Sequence, residues 1–259
     1  MPRKKVQYFS LTPLAQTPSL GTHTEQINHI QMRTKALLLA AAFAAAGVAT
    51  SMAQVYSVNA VGYVNVTVKP GFNLVANPLT AADNTINTLF KNFQGGTPEG
   101  TKVFAYRSGG FKTAQYEPLD DAYLPPDVAA LTILPGEGVF LFSPAATDKI
   151  LTFVGEVPQG NLSNPIPTGF SIRANQVPQA VKPDDVGLKA PVAGEGDKFF
   201  RYNTTKKGYD SFQYEPLDDA WLGGATPGLP VLNVGEAFFY FRVGQPTSWN
   251  RTFSVNNPT

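Results

Sequence analysis

The chain repeats part of its own sequence, and this repeat limits what it can fold into. The decapeptide QYEPLDDAYL at residues 115–124 returns as QYEPLDDAWL at residues 213–222. The single difference exchanges one large aromatic residue, Tyr123, for another, Trp221. Two segments this similar, about 100 residues apart, predict two copies of one folding unit.

Other matched segments keep the same order along the chain. The matched pairs are KPGFNLVANPL (69–79) with PTGFSIRANQV (167–177), KVFAY (102–106) with KFFRY (198–202), and LPGEGVFLF (134–142) with NVGEAFFYF (233–241). We therefore predict two homologous units, repeat 1 at residues 54–155 and repeat 2 at residues 156–259. Each is about 100 residues long, which suits a small domain or half of a larger one.

Short apolar segments and frequent turns predict β structure in both repeats. Residues 64–68 alternate apolar and polar side chains, the pattern of a half-buried strand. Residues 138–142 and 237–241 are apolar and rich in aromatic side chains, which is typical of buried strands. Glycine or proline recurs about every ten residues, as in a sandwich or barrel. The predicted fold class is mainly β, with two homologous units that resemble a β-sandwich or β-barrel.

One short helix is expected, in repeat 1. Apolar residues recur there at helical spacing after a capping pair at residues 83–84, namely Ile86, Leu89, Phe90 and Phe93. Two glycines at residues 95–96 then end the helix. Repeat 2 offers only PDDVGLKA at residues 183–190, for which we expect one helical turn.

The N-terminal part of the chain has the pattern of a leader. Residues 32–53 combine a basic start, an apolar run and a small-residue cleavage motif before Gln54, as secretory signal peptides do. The apolar run is shorter than the roughly 20 residues that a membrane-spanning helix needs. Residues 1–31 are polar and aperiodic, so we expect disorder there and a translation start at Met32. The mature protein is predicted to be secreted, periplasmic or on the surface of a bacterial cell, with no membrane span after signal cleavage.

Composition excludes several kinds of chemistry from residues 54–259. This part carries 15 Lys and Arg against 18 Asp and Glu, a net charge of −3, and has no basic run. Nucleic acid and anionic membrane surfaces are therefore not expected as partners. Both histidines, His23 and His29, precede Gln54, and the chain has no cysteine. Catalytic triads of the Ser-His-Asp or Cys-His kind, and zinc sites built from His or Cys, are thus excluded.

The order of motifs resembles a group of secreted proteins. Gly-aromatic-Asn-Leu-x-x-Asn-Pro at residues 71–78, followed about 60 residues later by Pro-Gly-Glu-Gly, is similar to tandem β-modules in secreted proteins of environmental Gram-negative bacteria. Repeat 2 departs from this pattern, with Arg173 inside the strand and Gln176 where repeat 1 has Pro78. The resemblance implies a secreted β fold and implies no activity.

The repeated decapeptide is the candidate binding site. The ligand-binding candidates are Tyr116, Glu117, Asp120, Asp121 and Tyr123 in repeat 1 and Tyr214, Glu215, Asp218, Asp219 and Trp221 in repeat 2. Carboxylates suit calcium, which takes six to eight oxygen ligands, although the spacing is not that of an EF-hand. The predicted calcium ligands are Glu117, Asp120, Asp121, Glu215, Asp218 and Asp219. Alternatively, the aromatic rings form a platform on which sugars stack.

Two further interpretations of the decapeptide stay open. A pair of its carboxylates would suit a glycosidase. A structural role would use Pro118 to start a turn, the aspartates to bind turn amides, and the aromatic residue to anchor the loop. Glu137 and Glu236, each beside a glycine, are expected to accept hydrogen bonds from loop amides.

The function that these patterns favour is that of a secreted, non-catalytic structural or interaction module. Its expected partner is a polysaccharide or another cell-surface component, and no cofactor is expected apart from calcium. The alternative is a carboxylate-based enzyme that acts on glycans, of the glycoside hydrolase type.

Overall fold

The structure is a computed structural model that describes residues 60–225 and 227–256. Residues 1–31, the predicted signal peptide at 32–53 and the first residues of repeat 1 lie outside this description. Val58–Thr259 forms one compact unit, so both repeats belong to it. In the described ranges, no helix has the length and hydropathy to cross a membrane.

Each repeat forms seven strands in the same order. Repeat 1 contains β1 (Val61–Val68), β2 (Gly71–Ala76), β3 (Lys102–Arg107), β4 (Gly110–Glu117), β5 (Ala122–Leu124), β6 (Gly138–Ser143) and β7 (Lys149–Glu156). Repeat 2 contains β8 (Gly160–Ile166), β9 (Gly169–Ala174), β10 (Lys198–Asn203), β11 (Gly208–Glu215), β12 (Ala220–Leu222), β13 (Ala237–Arg242) and β14 (Thr247–Phe253). The mainly β fold class with two similar units is confirmed.

The strands of each repeat divide between one sheet and one ribbon. The five-stranded antiparallel sheets have the orders β2-β6-β3-β4-β5 and β9-β13-β10-β11-β12. The remaining strands pair as the two-stranded ribbons β1–β7 and β8–β14. Every strand of repeat 1 thus has a counterpart in repeat 2.

Both short helices of the described chain, α1 (Ile86–Leu89) and α2 (Pro126–Ala129), lie in repeat 1. Helix α1 is where we predicted a helix, but it is shorter and its N-cap is Thr85. It ends early because Phe93 bridges Leu151 of β7, so tertiary pairing replaces further helical turns. Helix α2 was not predicted. Residues 183–187, where one helical turn was expected, form successive hydrogen-bonded turns.

Each sheet has an inner face that packs against its own ribbon. In repeat 1 this core contains Val75, Val103, Ala114, Val139, Leu141 and Phe153. In repeat 2 the corresponding core contains Phe199, Phe212, Phe238, Tyr240 and Trp249. Because side chains alternate along a strand, the neighbouring residues point to the opposite face of the sheet.

The opposite face of each sheet carries six aromatic residues, and we call it the aromatic face. In repeat 1 these are Phe72, Phe104, Tyr106, Phe111, Phe140 and Phe142. In repeat 2 they are Phe170, Phe200, Tyr202, Tyr209, Phe239 and Phe241. The two aromatic faces contribute to a third apolar cluster, built around Leu74, Ala76, Ile172, Ala174, Ala237 and Phe239.

Reciprocal backbone contacts join the two repeats. The Ala76 N–H donates to the Gly235 carbonyl oxygen (2.8 Å), and the equivalent Ala174 N–H donates to the Gly136 carbonyl oxygen (2.9 Å). In the alignment of the repeats, Ala76 corresponds to Ala174 and Gly235 corresponds to Gly136, so the two hydrogen bonds are equivalent. A pseudo-twofold axis between the repeats produces this kind of reciprocity.

Candidate functional site

The repeated decapeptide forms the same β-hairpin in both repeats. Tyr116 of β4 pairs with Tyr123 of β5, and Tyr214 of β11 pairs with Trp221 of β12. These four side chains are only 8 %, 1 %, 1 % and 0 % exposed, and they belong to the two inner cores. They leave no ring face on which a sugar can stack. The predicted sugar platform at these residues is therefore wrong, because the rings are used as core.

The second aromatic residue of each hairpin also fastens the segment that covers its core. The Tyr123 hydroxyl donates a hydrogen bond to the Phe90 carbonyl oxygen (2.9 Å). In repeat 2, the Trp221 indole N–H donates to the Leu188 carbonyl oxygen (2.7 Å). Tyr and Trp both combine a large apolar ring with a polar tip. This shared property explains why these two residues replace one another in the decapeptide.

One aspartate in each hairpin accepts a hydrogen bond from a tyrosine. The Tyr116 hydroxyl donates to Asp121 (2.9 Å), and the Tyr214 hydroxyl donates to Asp219. Lys91 adds an ion pair to Asp121 (2.9 Å). Hydrogen bonds from Lys91 and Tyr116 hold the pKa of Asp121 below its usual value, and the Tyr214 hydroxyl does the same for the pKa of Asp219.

The loop between the paired strands requires an unusual backbone at the second aspartate. Asp121 and Asp219 have φ values of 45° and 46°, in the left-handed region that aspartate tolerates better than most residues. The loop closes when the N–H of each donates to the carbonyl oxygen of the proline three positions earlier, at 3.3 Å in both repeats. The structural interpretation of the decapeptide accounts for these residues.

The other carboxylates of the decapeptide lie near the surface. Glu117 accepts a hydrogen bond from Gln115 (2.7 Å), and Glu215 accepts one from Gln213 (2.9 Å). Asp120 and Asp218 are exposed at the hairpin tips. Nothing in the structure explains the leucines beside them.

No group of three or more His, Cys, Asp or Glu side chains is placed to hold a metal ion within the two described ranges. The calcium site at the hairpins remains a prediction. Comparing the melting temperature in calcium and in chelator checks it, and equal values would contradict it.

Glu137 and Glu236 have the loop role expected for them. Glu137 accepts a hydrogen bond from the Leu134 N–H (3.0 Å), and Glu236 accepts one from the Asn233 N–H (3.0 Å). Arg201 also holds Glu236 through two hydrogen bonds of 2.6 and 3.0 Å. Each glutamate thus closes the turn before β6 or β13 and forms an ion pair at the junction of the repeats.

A cleft lined by aromatic rings opens where the two aromatic faces meet. It has a volume of about 330 Å³ and is lined by Tyr106, Phe111, Phe170, Phe200, Tyr209 and Phe239. Phe111, Phe170 and Tyr209 are 47 %, 46 % and 45 % exposed, whereas Phe239 is nearly buried. The rings of Phe111 and Tyr209 meet Phe239 edge to face, at centroid distances of 6.4 and 6.1 Å. Exposed aromatic rings therefore exist, at residues other than those predicted.

A polar groove of about 520 Å³ is formed by residues of both repeats. Residues that line it include Asn65, Thr67 and Lys69 of repeat 1 and Arg201, Asp210 and Glu236 of repeat 2. Tyr202 also lines the groove, and its ring lies 5.5 Å from that of Tyr209 in the aromatic cleft. Arg201 and Asp210, however, are register partners on the opposite side of the repeat 2 sheet from Tyr202 and Tyr209, so the groove and the cleft are separate surfaces.

The polar groove differs from its counterpart on the other side of the pseudo-twofold axis. Val75 and Arg173 are equivalent residues of β2 and β9, and they form equivalent bridges to Glu236 and Glu137. The Arg173 side chain is 11 % exposed and its guanidinium reaches Glu137 (3.6 Å). Burial lowers the pKa of Arg173. The Val75 side chain instead packs in the inner core of repeat 1, and Glu236 lines the polar groove.

The two carboxylates of the groove, Glu236 and Asp210, are both held by hydrogen bonds within the protein. Arg201 binds both oxygens of Glu236. Asp210 accepts hydrogen bonds from Lys206 (2.6 Å) and Asn203 (3.2 Å), which hold the pKa of Asp210 below its usual value. The general acid of a glycosidase needs the opposite, a raised pKa that keeps its proton near neutral pH. Asp210 therefore does not resemble such a general acid.

Repeat 2 contains a fully buried carboxylate that its sequence did not lead us to predict. Asp197 accepts hydrogen bonds from the Tyr240 hydroxyl (2.7 Å), from Arg242 (2.6 Å) and from the backbone N–H groups of Gly194 and Val243. Repeat 1 has Thr101, Leu141 and Ser143 at the positions equivalent to Asp197, Tyr240 and Arg242. Comparison of the two repeats could have revealed this network, because all three aligned positions change together from one repeat to the other. Its complete set of partners makes Asp197 a structural residue.

Comparison of the chain with protein-family models, with curated proteins and with solved structures found no match. The geometry of the aromatic cleft and the polar groove is therefore what bears on function.

Proposed function

We propose that the protein is a secreted, non-catalytic module that binds a polysaccharide or a similar polyhydroxylated component of a cell surface. The observation that carries this proposal is the aromatic cleft, where the half-exposed rings of Phe111, Phe170 and Tyr209 lie outside both inner cores. The signal-peptide pattern of residues 32–53 supports secretion.

The two surfaces together match the chemistry of a sugar chain. A sugar ring has an apolar C–H face, which suits the half-exposed rings of Phe111, Phe170 and Tyr209. Its rim of hydroxyl groups requires hydrogen-bonding side chains of the kind that line the groove. Binding sites commonly combine an apolar aromatic lining with a few polar groups that set orientation. An exposed aromatic patch on a soluble protein also indicates an interaction surface.

The test is the binding of the purified full chain to a panel of polysaccharides and cell-envelope fractions. Tyr209→Ala removes a half-exposed ring of the cleft, and we expect it to weaken binding at least tenfold. Tyr63→Ala is the matched control, because Tyr63 is 64 % exposed on β1 and does not line the cleft. Melting temperatures of both variants confirm that they fold. Equal binding by the two variants, or no saturable binding by the wild type, would refute the proposal.

A further inference from the structure

Hydrogen-bond acceptors in the polar groove are already used within the protein. Both oxygens of Glu236 accept hydrogen bonds from Arg201, and one accepts a further bond from the Asn233 N–H. The two oxygens of Asp210 accept from Lys206 and Asn203. A ligand in the groove therefore finds these carboxylates engaged, and their charges balanced.

Hydrogen-bond donors of the groove are, by contrast, available. Within the described part of the chain, the Lys69 ammonium forms no ion pair. The hydrogen bonds of Lys69 join its backbone N–H and carbonyl oxygen to the side-chain amide of Asn73. Arg201 uses Nε and Nη2 for Glu236, which leaves Nη1. Asn65 accepts from the Thr152 hydroxyl (2.8 Å) with its oxygen, which leaves its amide N–H groups. Glu236 is thus balanced by Arg201 and Asp210 by Lys206, whereas the charge of Lys69 in the groove is not balanced by an ion pair within the described residues.

A ligand with ionised carboxylates supplies what such a groove lacks. A carboxylate is an acceptor only, and hydrogen bonds between a charged donor and a charged acceptor are roughly twice as strong as neutral ones. We propose that the groove binds the carboxylate groups of an acidic, uronate-containing polysaccharide through the Lys69 ammonium, with Nη1 of Arg201 as a further hydrogen-bond donor. This proposal rests on the proposed function and narrows its ligand class.

Comparison of the two repeats predicts one uronate-binding site per chain. At the position equivalent to Lys69, repeat 2 has Pro167, which has no cation to offer. The counterpart of Val75 is Arg173, whose guanidinium is nearly buried against Glu137. The equivalent surface on the other side of the pseudo-twofold axis therefore lacks the lysine. Binding of a short uronate oligomer is expected to saturate at one equivalent per chain.

The test compares polygalacturonate with its fully methyl-esterified form, in calcium-free buffer. The two polymers share a backbone and differ in the ionised carboxylates. We expect the full chain to bind polygalacturonate at least tenfold more tightly than the ester, and this difference to shrink at high salt. The full chain has a net charge of only +1, and a control variant that removes the same unit of charge elsewhere measures any non-specific attraction to the acidic polymer.

Lys69→Gln is expected to remove most of the preference for the acid form. Lys112→Gln is the matched control, since Lys112 is exposed on β4 and does not line the groove. Equal affinity for acid and ester would overturn the uronate proposal while leaving polysaccharide binding in place. A preference that Lys69→Gln leaves intact would also overturn it. Failure to bind any polymer of the wider panel would instead refute the proposed function itself.

Discussion

Tyr123 and Trp221 have the same two structural roles, one for the buried ring and one for its polar atom. The ring fills the inner core of its repeat, and the tip binds a carbonyl oxygen of the segment that lies over the core. A phenylalanine at this position would fill the space and leave the carbonyl without its partner. The near-identity of the decapeptide in the two repeats thus follows from packing and hydrogen bonding, with most of its residues assigned a contact.

Tyr123→Ala is expected to lower the free energy of unfolding by about 3–5 kcal/mol, because it leaves a cavity in the repeat 1 core. Leu119→Ser in the same hairpin is expected to change it by less than about 0.5 kcal/mol, since Leu119 is fully exposed. Urea unfolding of the two variants and the wild type measures both values. Similar stability of the two variants would show that the ring does not anchor the hairpin.

Asp219→Asn is expected to reduce stability at neutral pH and to have no effect in strong acid. The pKa of Asp219 lies below its ordinary value of 3.8, mainly because the Tyr214 hydroxyl donates to the carboxylate. The charged carboxylate therefore stabilises the fold above about pH 4, and this stabilisation is lost as the pH falls through the lowered pKa. Asparagine accepts the same left-handed backbone, so the backbone is not strained.

The check for Asp219 is the melting temperature of wild type and variant between pH 2 and pH 7. The two curves should converge as the pH falls from about 5 to about 2. Asp218→Asn, at the adjacent exposed position, is the control and should follow the wild type throughout. A constant separation between Asp219→Asn and wild type would exclude the charge of Asp219 as the cause.

Among the elements, the strands were predictable and the site was not. Alternating patterns and Gly or Pro turns identify strands because both depend on local chemistry. The length of α1 was not predictable, because Phe93 pairs with Leu151 on a strand distant in sequence. The aromatic cleft was not predicted, because residues 103–106 are apolar or aromatic on both faces and their sequence does not show which face is exposed. Only the packing of the repeats decides which rings stay half exposed.

Close contact between the repeats restricts the residue that begins β6. A Cβ at Gly138 would overlap the Ala237 methyl group and approach Ile172 Cγ2 to 2.8 Å. We expect Gly138→Ala to destabilise the protein by about 1–3 kcal/mol, the usual cost of overpacking a core. Gly110→Ala, at the start of β4, is the matched control because a Cβ there meets no atom within 4 Å.

The Gly138 prediction can be tested further with a compensating change. Ala237→Gly removes the methyl group that a new Cβ would meet, so adding it to Gly138→Ala should restore part of the lost stability. Denaturant midpoints of the single and double variants give the coupling free energy. Purely additive effects would show that residues 138 and 237 do not compete for the same space.

At the scale of the whole molecule, the repeats share a fold and differ in their polar residues. Repeat 2 has the buried network of Asp197 and the long side chain of Arg173 where repeat 1 has apolar or small residues. Repeat 1 has Val75 at the position of Arg173, and the polar groove lies on that side. The two repeats have thus diverged in their polar residues, and equivalent places in the scaffold differ in the surface that they present.

The third apolar cluster and the reciprocal backbone hydrogen bonds predict that the two repeats unfold together. Both tryptophans, Trp221 and Trp249, belong to repeat 2, so tryptophan fluorescence reports on that repeat. Leu141→Ala removes a fully buried side chain from the core of repeat 1 and should cost about 2–5 kcal/mol. If the repeats form one cooperative unit, this change lowers the fluorescence midpoint as much as the far-UV circular dichroism midpoint.

Leu232→Ala, in the core of repeat 2, is the control that must lower the fluorescence midpoint in either case. A fluorescence transition that Leu141→Ala leaves in place would mean that repeat 2 folds independently and that the contacts between the repeats contribute little to its stability.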